Sequence, residues 1–239
     1  MSDVLLEVAG LKTGYGDLTV VRDVSLTVRA GEITVLLGRN GAGKTTTLRA
    51  ITGLNKVSGG TVDYLGETLT DPSHKRVAKG ISYVQEGKRV FRELTIEQNL
   101  LLGGFSRRMS KRALAASVDE IYQLFPILGT KRALIAASMS GGQQQMLAIG
   151  QALMARPKLL ILDEPSQGLA PVIVKEVMER VSELKSTGLG VLLVEQAVQD
   201  SVAIADQVSV IEMGRTTLHG AAAEINMDDL QRAYFGGTA

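Results

Sequence analysis

Cysteine is absent from the 239 residues, which removes disulfides, thiolate zinc sites and cysteine nucleophiles and fits a reducing compartment. Net charge is nearly absent as well, since 26 Lys plus Arg face 25 Asp plus Glu, a balance of +1. No overall field therefore draws the chain to nucleic acid or to an anionic membrane surface. No apolar run approaches the roughly 18 residues that a membrane span needs. The N-terminal stretch MSDVLLEVAG carries an acid where a signal peptide wants basic residues. A cytoplasmic chain is expected, with any membrane role reaching it through partner chains. Internal repeats, low-complexity tracts and long linkers are lacking too. At this length and 45% hydrophobic content the chain supports one substantial core, so residues 1–239 are expected to form a single domain.

What is present reads as alternating β and α segments. In DVSLTV, Val24, Leu26 and Val28 alternate with Ser25 and Thr27, the period-2 pattern of a sheet with one buried face. Ile33 to Gly38 is apolar on both faces, as a strand covered on both sides of a parallel sheet should be. A helix is expected after Lys44, and strands near 61–65 and 81–84. From about Thr95 to Ala155 strand signals stop, and Leu114, Val118, Ile121, Tyr122 and Phe125 recur at helical spacing. KLLILDEP and GVLLVEQ then return as buried strands, separated by a helix that Pro171 opens. The expected class is α/β, with a parallel-sheet core, a β-rich N-terminal part and a helical insertion over about 95–155.

GRNGAGKTT, Gly38 to Thr46, fits G-x-x-x-x-G-K-S/T between a buried strand and a helix start, the context in which that pattern binds phosphate. Backbone N–H groups of Gly38, Arg39, Asn40, Gly41, Ala42 and Gly43 are expected to wrap phosphate oxygens. Lys44 should reach the β- and γ-phosphates and Thr45 should ligate Mg²⁺, with Thr46 also among the residues expected to bind ATP. LLILDEP closes an apolar strand on two acids, and open α/β sheets bind ligands at that end. Asp163 is the expected Mg²⁺ partner and Glu164 the residue that orients or deprotonates water. Adjacent strand residues point to opposite faces, which would separate the two tasks.

MSGGQQQ, residues 139–145, opens a second helix. Ser140 and Gln143 form an S-x-x-Q capping box, which alone would describe a well-capped helix. Gly141 and Gly142, however, each cost about 1 kcal/mol relative to alanine inside a helix. A serine hydroxyl, two glycine amides and a helix N-terminus together make an anion site.

The phosphate loop, MSGGQ and LLILDEP, in that order and spread over nearly the whole chain, resemble the ATP-binding subunit of an ABC transporter. The resemblance implies a P-loop NTPase fold with a RecA-like parallel sheet, an N-terminal antiparallel β subdomain and an inserted helical subdomain. It also implies that Ser140, Gly141, Gly142 and Gln143 bind ATP held by another subunit's phosphate loop, so that two sites form between two chains. Tyr15 matches the aromatic that stacks on adenine, and Ser166 to Leu169 match the loop along that interface. Met139 stands for the family's usual Leu, a volume-conserving exchange. In SYVQEGKRVF the alignment puts Glu86 where the γ-phosphate-sensing glutamine stands, one place after Gln85, and either side chain has an oxygen for Mg²⁺ or water. Gln196 replaces the family's switch histidine; it can hydrogen-bond a phosphate but cannot become cationic.

QEGKRVFRELTIEQNLLLGGF, MSGGQQQMLAIGQALMARPKLLILDEPSQGLAP and LLVEQAV are most similar to the second ATPase subunit of branched-chain amino-acid importers, with a close relative serving urea and short amides. That resemblance implies a homodimer or a heterodimer with a sister ATPase, and membrane permease subunits as partners. The chain would sit peripherally on the inner face of the membrane, touching neither nucleic acid nor the transported molecule. Two alternatives differ in class. A soluble ABC-type ATPase acting on ribosomes or DNA usually carries two cassettes or long coiled-coil insertions, and neither is present. A regulatory module that closes on ATP without turning it over has only Gln196 and Glu86 as hints.

Overall fold

The structure is a computed structural model and describes residues 4–107 and 109–235. Among these residues the strands are β1 Val4–Tyr15, β2 Leu18–Arg29, β3 Ile33–Leu37, β4 Val57–Tyr64 and β5 Glu67–Thr68. They continue with β6 Ile81–Val84, β7 Leu159–Asp163, β8 Gly190–Glu195, β9 Gln207–Glu212 and β10 Arg215–Ala221. The helices are α1 Lys44–Ile51, α2 Ser73–Lys79, α3 Ile96–Gly103, α4 Lys111–Leu124 and α5 Pro126–Thr130. After them come α6 Gly141–Leu153, α7 Pro171–Glu183, α8 Val198–Val202 and α9 Met227–Phe235.

The strands form one ten-stranded sheet in the order β5-β4-β1-β2-β10-β9-β3-β8-β7-β6. Its β5-β4-β1-β2 end is antiparallel, while β9, β3, β8, β7 and β6 pair in parallel. Each central parallel strand sends alternate side chains to two separate apolar clusters. Ile33, Val35, Leu160, Leu162, Val191 and Leu193 face one cluster; Leu36, Leu159, Ile161, Leu192 and Val194 face the other. Burial on both faces is why these segments read as unbroken apolar runs. The second cluster also takes Leu48 and Ile51 of α1 and Val24, Leu26 and Val28 of β2, so the phosphate-loop helix is clamped between the antiparallel and parallel parts of the sheet.

Between β6 and β7 the chain is helical, as its lost alternation indicates. Ile96, Leu100, Val118, Ile121, Leu128 and Leu147 of that stretch share one continuous cluster with the parallel sheet. Two capping boxes start helices there, Thr95 with Gln98 and Ser140 with Gln143; the first has the same T/S-x-x-Q signature as the second but was not read from the sequence. Phe125 is a correction. It is 2% exposed, as its place in the apolar pattern suggests, yet it lies outside α4 with φ −126° and ψ 80°, because the ring of Pro126 disfavours helical backbone in the preceding residue.

A buried guanidinium fixes the far end of α1. Arg76 is 5% exposed and donates to the carbonyls of Ala50, Ile51, Leu69 and Asp71 at 2.9, 2.7, 3.2 and 2.7 Å. Burial pulls its pKa below the usual arginine range, and the carbonyl dipoles offset that cost. Arg76→Met would keep the volume but orphan helix-end acceptors, so the full chain should lose about 3 kcal/mol of stability in urea titration.

Candidate functional site

The site grows from the carboxyl ends of β3, β7 and β8, where Leu37 pairs with Glu195 and Asp163 with the preceding Val194. After β3 the chain turns through the phosphate loop. Gly43 takes φ +110°, which a side chain would strain, and a Cβ at Gly38 would lie 2.6 Å from the Ile211 carbonyl oxygen. Lys44, 5% exposed, folds back over the loop and donates to the carbonyls of Gly38 at 2.7 Å and Arg39 at 3.3 Å. Its Nζ also lies 3.2 Å from Glu164 Oε1. Arg39, Asn40 and Gly41 stay exposed at the rim while Ala42 is buried beneath it.

Asp163 ends β7, 1% exposed. Its Oδ1 accepts from the Thr45 hydroxyl at 3.2 Å and its Oδ2 from the Tyr83 hydroxyl at 2.8 Å. Burial raises its pKa above the ordinary carboxylate range, opposed by those two hydrogen bonds. A desolvated carboxylate beside a threonine hydroxyl is an oxygen pair suited to Mg²⁺, which is usually held by one or two protein groups and completed by substrate phosphates and water.

Glu164 departs from the pleat expected of it. The strand ends at Asp163, and Glu164 turns with φ +47°, a region that costs a non-glycine residue about 1–3 kcal/mol and persists only where surroundings enforce it. The different directions of the two acids thus come from a strained turn, not from strand alternation. Its side chain is gripped on all sides: Lys44 holds Oε1, while Gln196 Nε2 donates to Oε2 at 2.6 Å and Gln167 Nε2 at 3.3 Å. Lys44, Thr45, Thr46, Glu86, Glu164 and Gln167 line one open cleft of about 370 Å³. Gln85 instead lines a different hollow with Tyr83, Arg89 and Gln151, so these neighbours, equivalent in sequence, are divided by geometry.

Tyr15 stands at the loop's flank, 48% exposed. Its hydroxyl lies 3.4 Å from Thr46 Oγ1, and the Arg49 guanidinium sits 5.9 Å from its ring centre. Ser140 and Gly141 are exposed and do not line the cleft. Ser140 Oγ accepts from Gln143 N–H at 3.3 Å, and Gln143 Oε1 accepts from Ser140 N–H at 3.3 Å. That leaves the backbone N–H groups of Gly141 and Gly142, which no helical carbonyl can reach, at the start of α6. The two glycines differ in reason. A Cβ at Gly142 would stand 2.4 Å from Ile173 Cγ2, so close packing of α6 on α7 already demands glycine there. At Gly141 a Cβ would meet Lys88 Nζ at 3.3 Å, which places an ammonium beside a helix N-terminus where an anion is favoured.

Tyr83, Lys88 and Glu195 were not singled out from the sequence. Glu195 had a usable signal, an acid closing the apolar run GVLLVE as Asp163 closes LLILD. It is 1% exposed, and burial raises its pKa against hydrogen bonds from Ser166 and Gln196. A raised folded pKa means the folded chain binds more protons than the unfolded one in mild acid. Its contribution favours folding below the unfolded value, about 4.3, and is lost as pH rises through the folded value. The thermal midpoint of Glu195→Gln should therefore fall less steeply than that of the parent as pH rises above the unfolded value.

Residues 21–167 match the family model described as ABC transporter. The chain is 43% identical over 229 residues to the high-affinity branched-chain amino acid transport ATP-binding protein BraG of Pseudomonas aeruginosa, covering 95% of this chain and 97% of that one. It is 34% identical to the probable branched-chain amino acid transport ATP-binding protein LivF of Archaeoglobus fulgidus, with 92% and 94% covered. Among solved structures, cbiO1 from Clostridium perfringens, part of the ABC transporter complex cbiONQ, superposes with a TM-score of 0.86 at 26% identity, covering 96% of this chain and 94% of the other.

Proposed function

The chain belongs to the ABC transporter family, with the fold of a P-loop NTPase and the activity of an ATP hydrolase, and from that footing we propose that it powers uptake of branched-chain amino acids through separate permease subunits. The observation that carries the reading is the cleft that joins Lys44, Thr45 and Glu164 while the capped start of α6 lies exposed outside it. Two chains facing head to tail would bring Ser140, Gly141, Gly142 and Gln143 of each to the phosphate loop of the other, either as a homodimer or with a sister ATPase. Kinship with the Pseudomonas transport protein supports the amino-acid cargo.

Within the cleft the amides of residues 38–43 and Lys44 bind the phosphates, Thr46 supports the loop, and Tyr15 offers its exposed ring to adenine. Thr45 and Asp163 would hold Mg²⁺, and Glu86 lines the same cleft while Gln85 lines the neighbouring hollow. When bound, the ion neutralises charge on the β- and γ-phosphate oxygens. Glu164 takes the proton of the attacking water, and Gln196 and Gln167 hold its carboxylate in place. Phosphate competes with Glu164 for the Lys44 ammonium, so substrate binding itself releases one oxygen of the base. Gln196 positions Glu164 but, as an amide, neither takes up nor gives up a proton, which leaves the acid–base step to Glu164 alone.

No helix among the described residues is long and apolar enough to cross a membrane. Exposed Phe91, Leu101, Leu102 and Phe105 on the segment after Glu86 and on the helical stretch form the surface on which the permease subunits dock at the inner face of the membrane. The transported molecule and nucleic acid do not touch the chain in this arrangement. Phosphate release by the purified chain, measured against protein concentration, tests the reading. Turnover per chain should rise with concentration as dimers form; turnover per chain that is independent of concentration would argue that one chain is sufficient.

A further inference from the structure

We propose that Glu195 is a positioning residue for hydrolysis, a buried carboxylate that ties the loop after Glu164 to the end of β8 and thereby sets both amides that hold the Glu164 side chain. The inference rests on the role given to Glu164 above. Glu195 Oε1 accepts from the Ser166 backbone N–H at 2.9 Å. Its Oε2 accepts from the Ser166 hydroxyl at 2.7 Å and from the Gln196 backbone N–H at 3.3 Å. The residues so tied are Gln196 and Ser166, the latter next to Gln167, and the side-chain amides of Gln196 and Gln167 converge on Glu164 Oε2. One side chain thus couples two loops that are about thirty positions apart in sequence and come together beside the base.

A carboxylate suits this place and a neutral group does not. It presents acceptors in every direction, whereas an amide satisfying Ser166 would turn its own N–H toward that of Gln196. Burying the charge is costly and is offset by the three donors. The chain keeps an anion where a simple loop tether has no need of one. Its geometric effect is to keep the two amides from drifting off an oxygen that must stay aimed at water, and small displacements of such groups are expensive in rate.

The test compares Glu195→Gln and Ser166→Ala with the parent and Glu164→Gln, each as the full chain. For Glu195→Gln the expected kcat is roughly 10-fold lower, with KM for ATP within about twofold of the parent, since no phosphate contact changes. Ser166→Ala, which removes one of three donors, should lower kcat about threefold. Backbone amides of Ser166, Gln167 and Gln196 should exchange hydrogen about 10-fold faster in Glu195→Gln. Parental kcat, parental exchange, or a fall in kcat that merely tracks loss of folded protein would each overturn the proposal. Should Glu164→Gln hydrolyse ATP at the parental rate, the role of Glu164 fails instead, and the exchange measurement still decides whether Glu195 tethers the loops.

Discussion

Glu164→Gln is expected to lower ATP turnover by about 10²- to 10⁴-fold while nucleotide binding persists. The substitution keeps shape and the strained turn, and its amide oxygen still accepts from Gln196 and Gln167. What it removes is the basic oxygen and the negative charge opposite Lys44. Binding survives because the phosphates engage the loop amides and Lys44, whose ammonium the substitution frees from its pair with Glu164. With hydrolysis stopped and ATP retained, chains closed around nucleotide should accumulate as a dimer on size exclusion. Parental turnover in this variant would remove Glu164 from the chemistry.

Lys44→Ala should act earlier, on binding, and should also harm the empty protein. The ammonium it deletes is bonded to two loop carbonyls and paired with a carboxylate that is 9% exposed. Removing one member of a buried pair leaves the other charge uncompensated, a loss of about 3 kcal/mol or more. The same deletion should weaken ATP binding by about 100-fold or beyond, on the order of the 2–5 kcal/mol seen when a desolvated charge contact is truncated. Calorimetric titration with ATP and thermal melting of the empty chain measure the two effects separately. Unchanged affinity would contradict the path of Lys44 over the loop toward the phosphates.

Much of this was legible because it is local. The parallel strands announced themselves as apolar runs, since both faces are buried in the two clusters. The phosphate loop and the capping box at Ser140 are patterns that geometry imposes on neighbouring residues. What stayed hidden depends on partners far along the chain. Tyr83 and Asp163 meet across 80 positions, and Glu195 meets Ser166 across 29, separations that no periodicity reports. The left-handed turn at Glu164 was misread as strand because the buried apolar run before it outweighed the turn that an Asp-Glu pair alone would suggest. Gly142 was read as a phosphate-facing residue, and its contact with Ile173 shows that helix packing selects the same residue. Gln85 and Glu86 were inseparable on paper because only the course of the chain after β6 decides which side chain enters the cleft.

The central claim is that each chain supplies half of its partner's site, and complementation tests it directly. Lys44→Ala spoils the phosphate loop. Gly141→Asp puts a carboxylate at an exposed first-turn position, where the helix tolerates it and an incoming phosphate does not. Each variant alone should be silent. Mixed in equal amounts, half of the dimers carry both defects in one site and none in the other, so the mixture should recover about a quarter of parental turnover. Recovery near that level is the predicted result. A silent mixture beside an active parent, or full activity of Gly141→Asp alone, would contradict the account.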